Sequence, residues 1–281
     1  MAKKDLKNAV LALGNFDGVH KGHRKVLAIG KSLALREKLP FYAVTFEPHP
    51  ALYFKKDLTN FLLTPLALKT RLLKEAGADG VIVLPFDKEL ASMSPQDFVA
   101  AHLGQAKHVV VGFNFAFGAR REGSAEVLKN ALIVPAHQNA QGDVVSSSLI
   151  RPLVAKGDLE SARELLGRPF MISGRVEKGQ QQGRALSYPT ANIKPQDSTR
   201  PPQGVYIMQA RLPDGTWRNG MGITTNNLIE IHLFDFNEDL YEKVLDIAFL
   251  AFLRPLQQFD SKDQLKAQLD KDAQKARRYF K

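Results

Sequence analysis

The first half of the chain alternates short apolar runs with stretches of helical periodicity, and this alternation most strongly constrains the fold. Val10–Leu13 is apolar throughout and ends at a glycine, and residues 25–37 then carry apolar side chains at helical spacing. Further apolar runs at 41–46, 80–84 and 108–111 follow the same order. Strands that alternate with helices favour a parallel sheet covered on both faces. We therefore predict an α/β, Rossmann-like domain that binds ligands where its strands turn into helices.

The pattern changes after about residue 166, where glycine and proline separate short apolar runs. Residues 229–234 alternate apolar and polar side chains, as a half-buried strand does. This spacing predicts an antiparallel barrel or sandwich. Residues 263–279 predict a charged helix packed on it through Leu265, Leu269 and Ala273. We expect two domains, 1–166 and 167–281, the second being mainly an antiparallel β-barrel with a terminal helix.

The composition limits the possible chemistry. A chain of 281 residues without cysteine can form two domains but has no disulfide, thiolate zinc site, iron–sulfur cluster or cysteine nucleophile. Its net charge of +10 favours anionic partners, yet the basic residues are scattered, so we expect no nucleic-acid partner. We see no signal peptide and no apolar run long enough for a bilayer, so we expect a cytoplasmic protein without a membrane partner. A homo-oligomer is left open.

The turn after the first strand has the residues that phosphoryl chemistry needs. Gly14, Gly18 and Gly22 let the backbone approach an anion and expose its N–H groups. His20 and His23 are three residues apart at a helix start, so both can face one ligand and donate to phosphate oxygens. The alternative is a tight turn with two solvated histidines. The turn predicts a nucleotidyltransferase site.

Four segments resemble the bifunctional prokaryotic riboflavin kinase/FAD synthetase family, and the resemblance covers nearly the whole chain. Residues 14–23 match its Gly-x-Phe-Asp-Gly-x-His-x-Gly-His motif, and 45–50 match its Thr-Phe-Glu-Pro-His-Pro run. Residues 112–118 resemble Gly-x-(Asp/Asn)-Phe-x-Phe-Gly, and 146–151 resemble Ser-Ser-(Thr/Ser)-x-(Ile/Val)-Arg. The resemblance implies that the first half transfers AMP from ATP to the phosphate of FMN, with Mg²⁺, giving FAD and pyrophosphate.

The resemblance also implies residue roles in the first site. His20, His23 and Arg151 would act on the ATP phosphates, although a surface ion pair is the alternative for Arg151. Glu47 and His49 either touch ligand or only shape their loop. The phenylalanines at 113, 115 and 117 lie near the flavin or belong to the core. The implied nucleotide- and flavin-binding residues are Gly14, Asn15, Phe16, Asp17, Gly18, Gly22, Asn114, Phe115, Ser147 and Ser148.

A second site is implied by residues 186–192, which resemble the riboflavin kinase signature Gly-x-Pro-Thr-Ala-Asn. Thr190 and Asn192 have oxygen ligands two residues apart on an extended segment, suited to Mg²⁺ on a nucleotide, and the family holds Mg-ATP at these two positions. Glu230 matches the catalytic glutamate, which would accept the proton of the riboflavin 5′-hydroxyl. The resemblance further implies a glycine-rich flap over the nucleotide at Gly174, Gly179 and Gly183. Without the family resemblance, Thr190 and Asn192 would be interpreted as turn residues, and Glu230 as a residue on the solvated side of a strand.

Two departures from the family pattern concern the second site. Ser187 stands where the signature has its first glycine, and residues 220–228 lack an Arg-Pro-Thr element. We therefore expect weakened or lost kinase activity. The alternatives are an enzyme with both activities intact, or a flavin- or nucleotide-binding regulator with a non-catalytic C-terminal domain. A further alternative is another His-x-Gly-His transferase, which would act on pantetheine phosphate, nicotinamide mononucleotide or glycerol phosphate. The C-terminal half argues against it, because such transferases are not expected to carry a barrel with the Pro-Thr-Ala-Asn signature.

Overall fold

The fold is taken from a computed structural model that describes residues 6, 8–128, 130–178, 186–225 and 228–281. The chain divides into two compact units. The first consists of Met1–Thr59 and Leu66–Ser147, and the second of Asn60–Pro65 and Ser148–Lys281. The compact units thus change at residue 147, and the functional boundary at 166/167 stays a prediction.

The first unit is built on a five-stranded sheet in the order β3-β2-β1-β4-β7, with every neighbouring pair parallel. Between β4 and β7, the chain forms a separate two-stranded antiparallel ribbon, β5-β6. The strands are β1 (Val10–Leu13), β2 (Phe41–Glu47), β3 (Gly80–Pro85), β4 (His108–Gly112), β5 (Ala116–Phe117), β6 (Gly123–Ser124) and β7 (Ala131–Val134). The helices are α1 (Lys21–Glu37), α2 (Pro50–Phe54), α3 (Leu66–Glu75), α4 (Lys88–Ser92) and α5 (Pro95–Phe98), which continues as a π-helical turn over Val99–Leu103.

Both faces of this sheet are buried, as the apolar strands require. Leu11 and Leu13 of β1 share a cluster with Phe98 of α5. Val10 and Ala12 point to the opposite face and are fully buried, and α1 packs against β1 and β4. Continuous apolar strands are typical of parallel sheets covered on two sides. The predicted α/β class is confirmed.

The second unit is built on a closed six-stranded barrel in the order β10-β11-β12-β9-β8-β13, with all pairs antiparallel. The barrel prediction is confirmed, and the sandwich alternative is wrong. The strands are β8 (Phe170–Glu177), β9 (Ala191–Pro195), β10 (Gly204–Arg211), β11 (Trp217–Thr224), β12 (Ile229–Leu233) and β13 (Val244–Arg254). The helices are α6 (Ser147–Lys156), whose first residue belongs to the first unit, α7 (Leu159–Leu166) and α8 (Lys262–Tyr279).

The terminal helix α8 packs on the barrel, as its sequence predicts. Leu269 and Ala273 lie in an apolar cluster with Met221 of β11, and the cluster continues to Ala276. The packed apolar stripe of α8 thus begins at Leu269 and continues to Ala276, whereas the predicted Leu265 is not part of this cluster. In the described part of the chain, no helix is both long and apolar enough to cross a membrane.

A buried ion pair ties α8 to β13. Arg254 donates to Asp272 Oδ2 through Nε at 2.9 Å and Nη2 at 2.7 Å. Gln268 Nε2 donates to the other carboxylate oxygen at 2.9 Å, and Asp272 is only 1% exposed. A buried carboxylate needs such partners because isolated charge is costly in the protein interior.

The segment Asn60–Pro65 is part of the second unit although its neighbours in sequence belong to the first. The Asn60 N–H donates to Asp197 Oδ1 at 2.8 Å, and the Thr199 N–H donates to Leu62 O at 2.8 Å. The Thr199 hydroxyl also donates to Asn60 O at 3.0 Å. These bonds attach the segment to the chain between β9 and β10.

Candidate active sites

The turn between β1 and α1 has an unusual backbone. Gly18 has a φ of 83°, but Phe16 and Val19 also have positive φ values, of 50° and 39°. A β-branched residue rarely adopts this conformation because its side chain crowds the backbone. Such strain persists only where surrounding contacts impose it, and it is frequent at functional sites.

Two side-chain hydroxyls supply such contacts. Thr45 Oγ1, on fully buried Thr45 of β2, donates to Asn15 O at 3.0 Å. Ser147 Oγ, at the start of α6, donates to Asp17 O at 2.8 Å. The sequence predicts Ser147 as a ligand residue, and its hydroxyl also braces the turn. Sequence analysis did not identify this role of Thr45, for which the only signal was its place in the Thr-Phe-Glu-Pro-His-Pro run at 45–50.

The two histidines lie together at the start of α1. His20 is 5% exposed and caps the helix, because its Nδ1 accepts from the His23 N–H at 3.3 Å. The rings are stacked, with centroids 3.6 Å apart. The alternative of two solvated histidines is therefore wrong. Since Nδ1 of His20 is an acceptor here, the neutral ring carries its hydrogen on Nε2, which leaves that atom as a donor.

His23 is held as a neutral ring. Burial lowers the pKa of His23 well below the ordinary value, and unfavourable electrostatic interactions with His20 and Lys69 lower it further. Its Nδ1 is buried and has no hydrogen-bond partner among the described residues. A buried ring nitrogen without a partner is costly, so this atom is suited to a ligand group.

The glycines of the turn serve different purposes. A Cβ at Gly22 would lie 3.1 Å from the His20 ring, so glycine allows the imidazole its place. The Gly14 N–H donates to Val44 O at 3.2 Å. The prediction that this N–H is exposed for an anion is therefore wrong, because it serves the sheet. Binding of ligand by Gly14, Asn15, Phe16, Asp17, Gly18 and Gly22 stays a prediction.

In the Thr-Phe-Glu-Pro-His-Pro run at 45–50, the last residues form the loop between β2 and α2. His49 is 8% exposed, and its Nδ1 accepts from the Ala51 N–H at 3.1 Å, which caps α2. Glu47 Oε2 lies 3.9 Å from Nζ of Lys69 on α3. The bond between the Ala51 N–H and His49 Nδ1 shapes the loop, which is the role that we gave for His49 as the alternative to ligand contact.

The segment after β4 divides between core and surface. Phe115 and Phe117 pack against the sheet cluster, with ring centroids 5.6 Å apart. Phe113 is 49% exposed, and Asn114 is also exposed. The core alternative therefore holds for Phe117, which is buried. Ligand roles for Asn114 and Phe115 stay predictions.

Sequence reasoning missed an aromatic cluster that follows two strand ends. Tyr53 and Phe54 of α2 both meet Phe86, which follows β3, with ring centroids 5.3 and 5.8 Å apart. Phe54 is 68% exposed. The carboxyl ends of β2 and β3 thus carry an accessible aromatic surface. The signal for it was the position of Phe86 directly after β3 and of Tyr53 and Phe54 in the short helix that follows β2.

Arg151 and Ser148 lie on α6 within the second unit. Arg151 Nε donates to Phe61 O at 2.7 Å, and its guanidinium carbon is 3.8 Å from the centre of the Phe61 ring. Ser148 is exposed. The phosphate-binding roles of Arg151 and Ser148 stay predictions.

The barrel brings two of the predicted kinase residues side by side. Glu230 of β12 is directly opposite Asn192 of β9 in an antiparallel pair. Directly opposite residues share a face, with Cβ atoms roughly 5 Å apart. The flanking Ile229 and Ile231 are fully buried on the other face. Burial raises the pKa of Glu230, which makes its carboxylate a stronger proton acceptor.

The loop that leads to Thr190 and Asn192 is anchored on both sides. Tyr188 OH donates to Asp270 Oδ1 of α8 at 2.6 Å, and burial together with this bond raises the pKa of Tyr188 to about 12. His232 Nδ1 lies 2.9 Å from Pro189 O, to which it donates. Ser187 has a φ of 66°, a conformation that favours glycine. Serine thus occupies a backbone position at which glycine would be unstrained.

Gly174 lies inside β8, where it pairs with Pro195 and Leu245. A Cβ at this position would come within 2.9 Å of the Lys194 carbonyl carbon, so glycine allows the close approach of β9. Its expected place in a flap is therefore wrong. Gly179 and Gly183 lie outside the described residues.

The short stretch before Glu230 leaves the barrel continuous. Residues 220–224 of β11 pair in unbroken register with 229–233 of β12. The Thr225 N–H donates to Leu228 O at 2.9 Å, which closes the connection. The missing Arg-Pro-Thr element therefore does not interrupt the wall that carries Glu230.

Thr190 and Asn192 fit a magnesium nucleotide by their donor chemistry. Their hydroxyl and amide oxygens are ligands that Mg²⁺ accepts, usually together with water and substrate phosphates. Within the described ranges, no group of three or more histidine and acidic residues could hold a metal ion by itself. A cation at Thr190 and Asn192 would thus depend on the charge of the nucleotide.

Two family models match different parts of the chain. The family model for FAD synthetase matches residues 2–148, and the family model for riboflavin kinase matches residues 166–280. A Bacillus subtilis (strain 168) protein named bifunctional riboflavin kinase/FMN adenylyltransferase is 32% identical over 300 residues, covering 100% of this chain and 95% of that protein. An Escherichia coli (strain K12) protein of the same name is 36% identical over 295 residues, covering 98% and 93%.

A solved structure is also similar. The crystal structure of a protein from Streptococcus pneumoniae, named as a macrolide-efflux protein, has a TM-score of 0.83 and 31% sequence identity. The likeness covers 96% of this chain and 94% of that one. Similarity in fold thus extends over nearly the whole chain.

The expectation of a weakened kinase is not supported. The riboflavin kinase model covers the barrel and α8, and relatives with a bifunctional name match across both halves. The barrel is closed, and it holds Glu230 opposite Asn192. The described residues on either side of the short stretch pair in continuous register, and Ser187 adopts a left-handed backbone conformation.

Proposed function

We propose that this chain, which belongs to the bifunctional riboflavin kinase/FMN adenylyltransferase family, phosphorylates riboflavin with its second unit and adenylylates FMN with its first. The first reaction consumes riboflavin and ATP and yields FMN and ADP. The second consumes FMN and a further ATP and yields FAD and pyrophosphate. Both reactions transfer a phosphorus centre between oxygens, so positioning and charge stabilisation supply most of the catalysis.

In adenylyl transfer, a phosphate oxygen of FMN attacks the α-phosphorus of ATP, and the bond to the leaving pyrophosphate breaks. The FMN phosphate is already a nucleophile, so no base is required. The stacked His20 and His23 lie at the start of α1. Their ring nitrogens would donate to phosphate oxygens on which charge accumulates. The helix start adds a favourable dipole.

The flavin needs a flat apolar surface, and the aromatic cluster of Tyr53, Phe54 and Phe86 supports such a role. It follows the carboxyl ends of β2 and β3, where parallel sheets bind ligands. Phe54 is largely accessible. Offset or edge-to-face contacts between aromatic rings each contribute about 0.5–1.5 kcal/mol beyond burial.

In the kinase reaction, Glu230 accepts the proton of the riboflavin 5′-hydroxyl while that oxygen attacks the γ-phosphorus of ATP, and ADP leaves. Thr190 and Asn192 would hold Mg²⁺ on the nucleotide. The cation supplies charge neutralisation on the phosphates when it is bound. The observation that carries this proposal is the direct pairing of Glu230 with Asn192, which supports a proton acceptor next to a nucleotide-binding residue.

A product assay tests both activities. The protein is incubated with ATP, Mg²⁺ and either riboflavin or FMN, and the flavins are separated by chromatography. We expect FMN and FAD from riboflavin, and FAD from FMN. Failure to form FAD from FMN, or FMN from riboflavin, would refute the corresponding half.

Two variants serve as controls for each other. Glu230→Gln should lower riboflavin phosphorylation about 10²- to 10⁴-fold, the usual loss for a general base, and leave FAD formation from FMN intact. His23→Ala should abolish FAD formation and leave FMN formation intact. Equal loss of both activities in either variant would contradict the assignment of one reaction to each unit.

A further inference from the structure

The first unit contains a buried lysine, Lys69, whose side chain lies against the C-terminal end of β2. Lys69 of α3 is only 1% exposed, although lysine is among the residues least often buried. Its partners come from the end of β2. An ammonium group away from water is costly unless other groups replace its hydration.

The described residues replace that hydration only in part. Nζ of Lys69 lies 3.5 Å from Phe46 O, at the outer limit of a hydrogen bond. It is 3.9 Å from Oε2 of Glu47, whose side chain is 34% exposed. An ammonium has three hydrogens to donate, and neither contact has the short geometry of a charge-assisted bond. Lys69 therefore retains donor capacity within a buried environment.

The charge of Lys69 acts on the turn that carries the histidines. Burial lowers the pKa of Lys69, while Glu47 and Asp17 raise it. The same ammonium lowers the pKa of His23, whose buried Nδ1 has no hydrogen-bond partner among the described residues. Lys69 and His23 are thus two nitrogen groups that influence each other electrostatically, and the hydrogen-bonding capacity of each is incompletely used by the described residues.

A purely structural role explains this arrangement poorly. The pair with Glu47 is long and partly solvated, and such ion pairs contribute little. Because the Glu47 side chain is 34% exposed, water can hydrate its carboxylate when Lys69 is replaced, so an apolar side chain there leaves no buried charge without a partner. A methionine of similar length would fill this place without any need for a counter-charge.

We propose that Lys69 is a further catalytic residue of adenylyl transfer, whose ammonium contacts a phosphate group of the bound nucleotide. This inference rests on the proposed function of the first unit. A phosphate oxygen completes the donor set of Lys69 and provides the negative charge that its surroundings supply only weakly. As the bond to pyrophosphate breaks, the ammonium stabilises the charge that develops on the leaving group.

The test compares three variants in the full-length chain. Lys69→Met should lower kcat for FAD formation from FMN about 10²- to 10³-fold, as for loss of one preorganised donor. Lys69→Arg keeps the charge and should recover part of this loss. Lys31→Met is the matched control, because Lys31 forms an ion pair with Asp79 at 2.7 Å with both side chains partly exposed. It should leave FAD formation near the wild-type rate.

Three readouts exclude a structural explanation. Lys69→Met should keep or raise the unfolding temperature, and riboflavin phosphorylation should be unchanged. Calorimetric titration with inorganic pyrophosphate should show binding at least 10-fold weaker than in wild type.

Wild-type FAD formation by Lys69→Met would overturn the proposal, as would a lowered unfolding temperature with parallel loss of both activities. If the wild-type protein itself forms no FAD, the proposed function fails instead.

Discussion

The hydroxyl of Thr45 provides a quantitative test of how the histidine turn is held. Thr45 is fully buried, and its hydroxyl donates to the carbonyl oxygen of Asn15 at 3.0 Å. Thr45→Val keeps the shape and the β-branching of the side chain but removes the donor. The variant therefore leaves the Asn15 carbonyl without this bond in a turn whose backbone is already strained.

The expected cost follows from the burial of the bond. Loss of a partner from a buried polar group costs about 1–3 kcal/mol. Ser147 makes the corresponding bond to Asp17 O at 2.8 Å, but its side chain is only half-buried. Ser147→Ala should thus lie at the lower end of that range. Because both hydroxyls brace one turn, the double variant should deviate from additivity.

Urea unfolding followed by far-UV circular dichroism measures the change in stability, and chromatography measures FAD formation. Thr216→Val is a matched control, because Thr216 Oγ1 bonds to Asp214 at 2.8 Å in an exposed turn; its effect should stay within about 0.5 kcal/mol. We expect Thr45→Val to reduce FAD formation and to leave riboflavin phosphorylation intact. Unchanged stability together with unchanged FAD formation would refute the bracing role.

Three further predictions concern the second unit. Because burial raises the pKa of Glu230, and the base must be deprotonated, riboflavin kinase activity should fall on acidification with a midpoint above the ordinary glutamate value of 4.5; a pH profile with its midpoint at or below that value would contradict this. Asp272→Ala leaves the Arg254 guanidinium, whose side chain is 18% exposed, without its partner and should cost up to about 3–5 kcal/mol, measured by thermal unfolding; an unchanged transition would refute it. Ser187→Gly relieves a left-handed conformation and should stabilise the protein by up to about 1 kcal/mol, visible as a raised unfolding temperature with kinase activity retained; a lowered temperature would show that the serine is favoured there.

The sequence predicted the class of both units because hydrophobic periodicity is a local property. Apolar periodicity indicated the first helix only from residue 25, although the turn motif put His20 and His23 at a helix start, and α1 begins at Lys21. The difference arises because the His20 ring caps the helix, an interaction that periodicity does not encode. Likewise, the register that sets Glu230 opposite Asn192 depends on how distant strands pair.

Candidate site residues could be named from the sequence where a motif contains them, and not where only a tertiary contact points to them. His20, His23, Glu230 and Asn192 all lie in recognisable segments. Lys69 interrupts an otherwise apolar helix face, and nothing in that local pattern shows that β2 covers its ammonium. Residues such as these acquire their roles only from what the fold places against them.

The segment Asn60–Pro65 has a practical consequence for dissecting this enzyme. Because the second unit uses these residues through Asp197 and Thr199, a single cut cannot separate the units cleanly. A fragment starting at residue 167 would lack both this segment and helices α6 and α7, which belong to the same unit. Separate expression of the kinase half would require these pieces to be grafted back, for example by a linker that replaces residues 66–147.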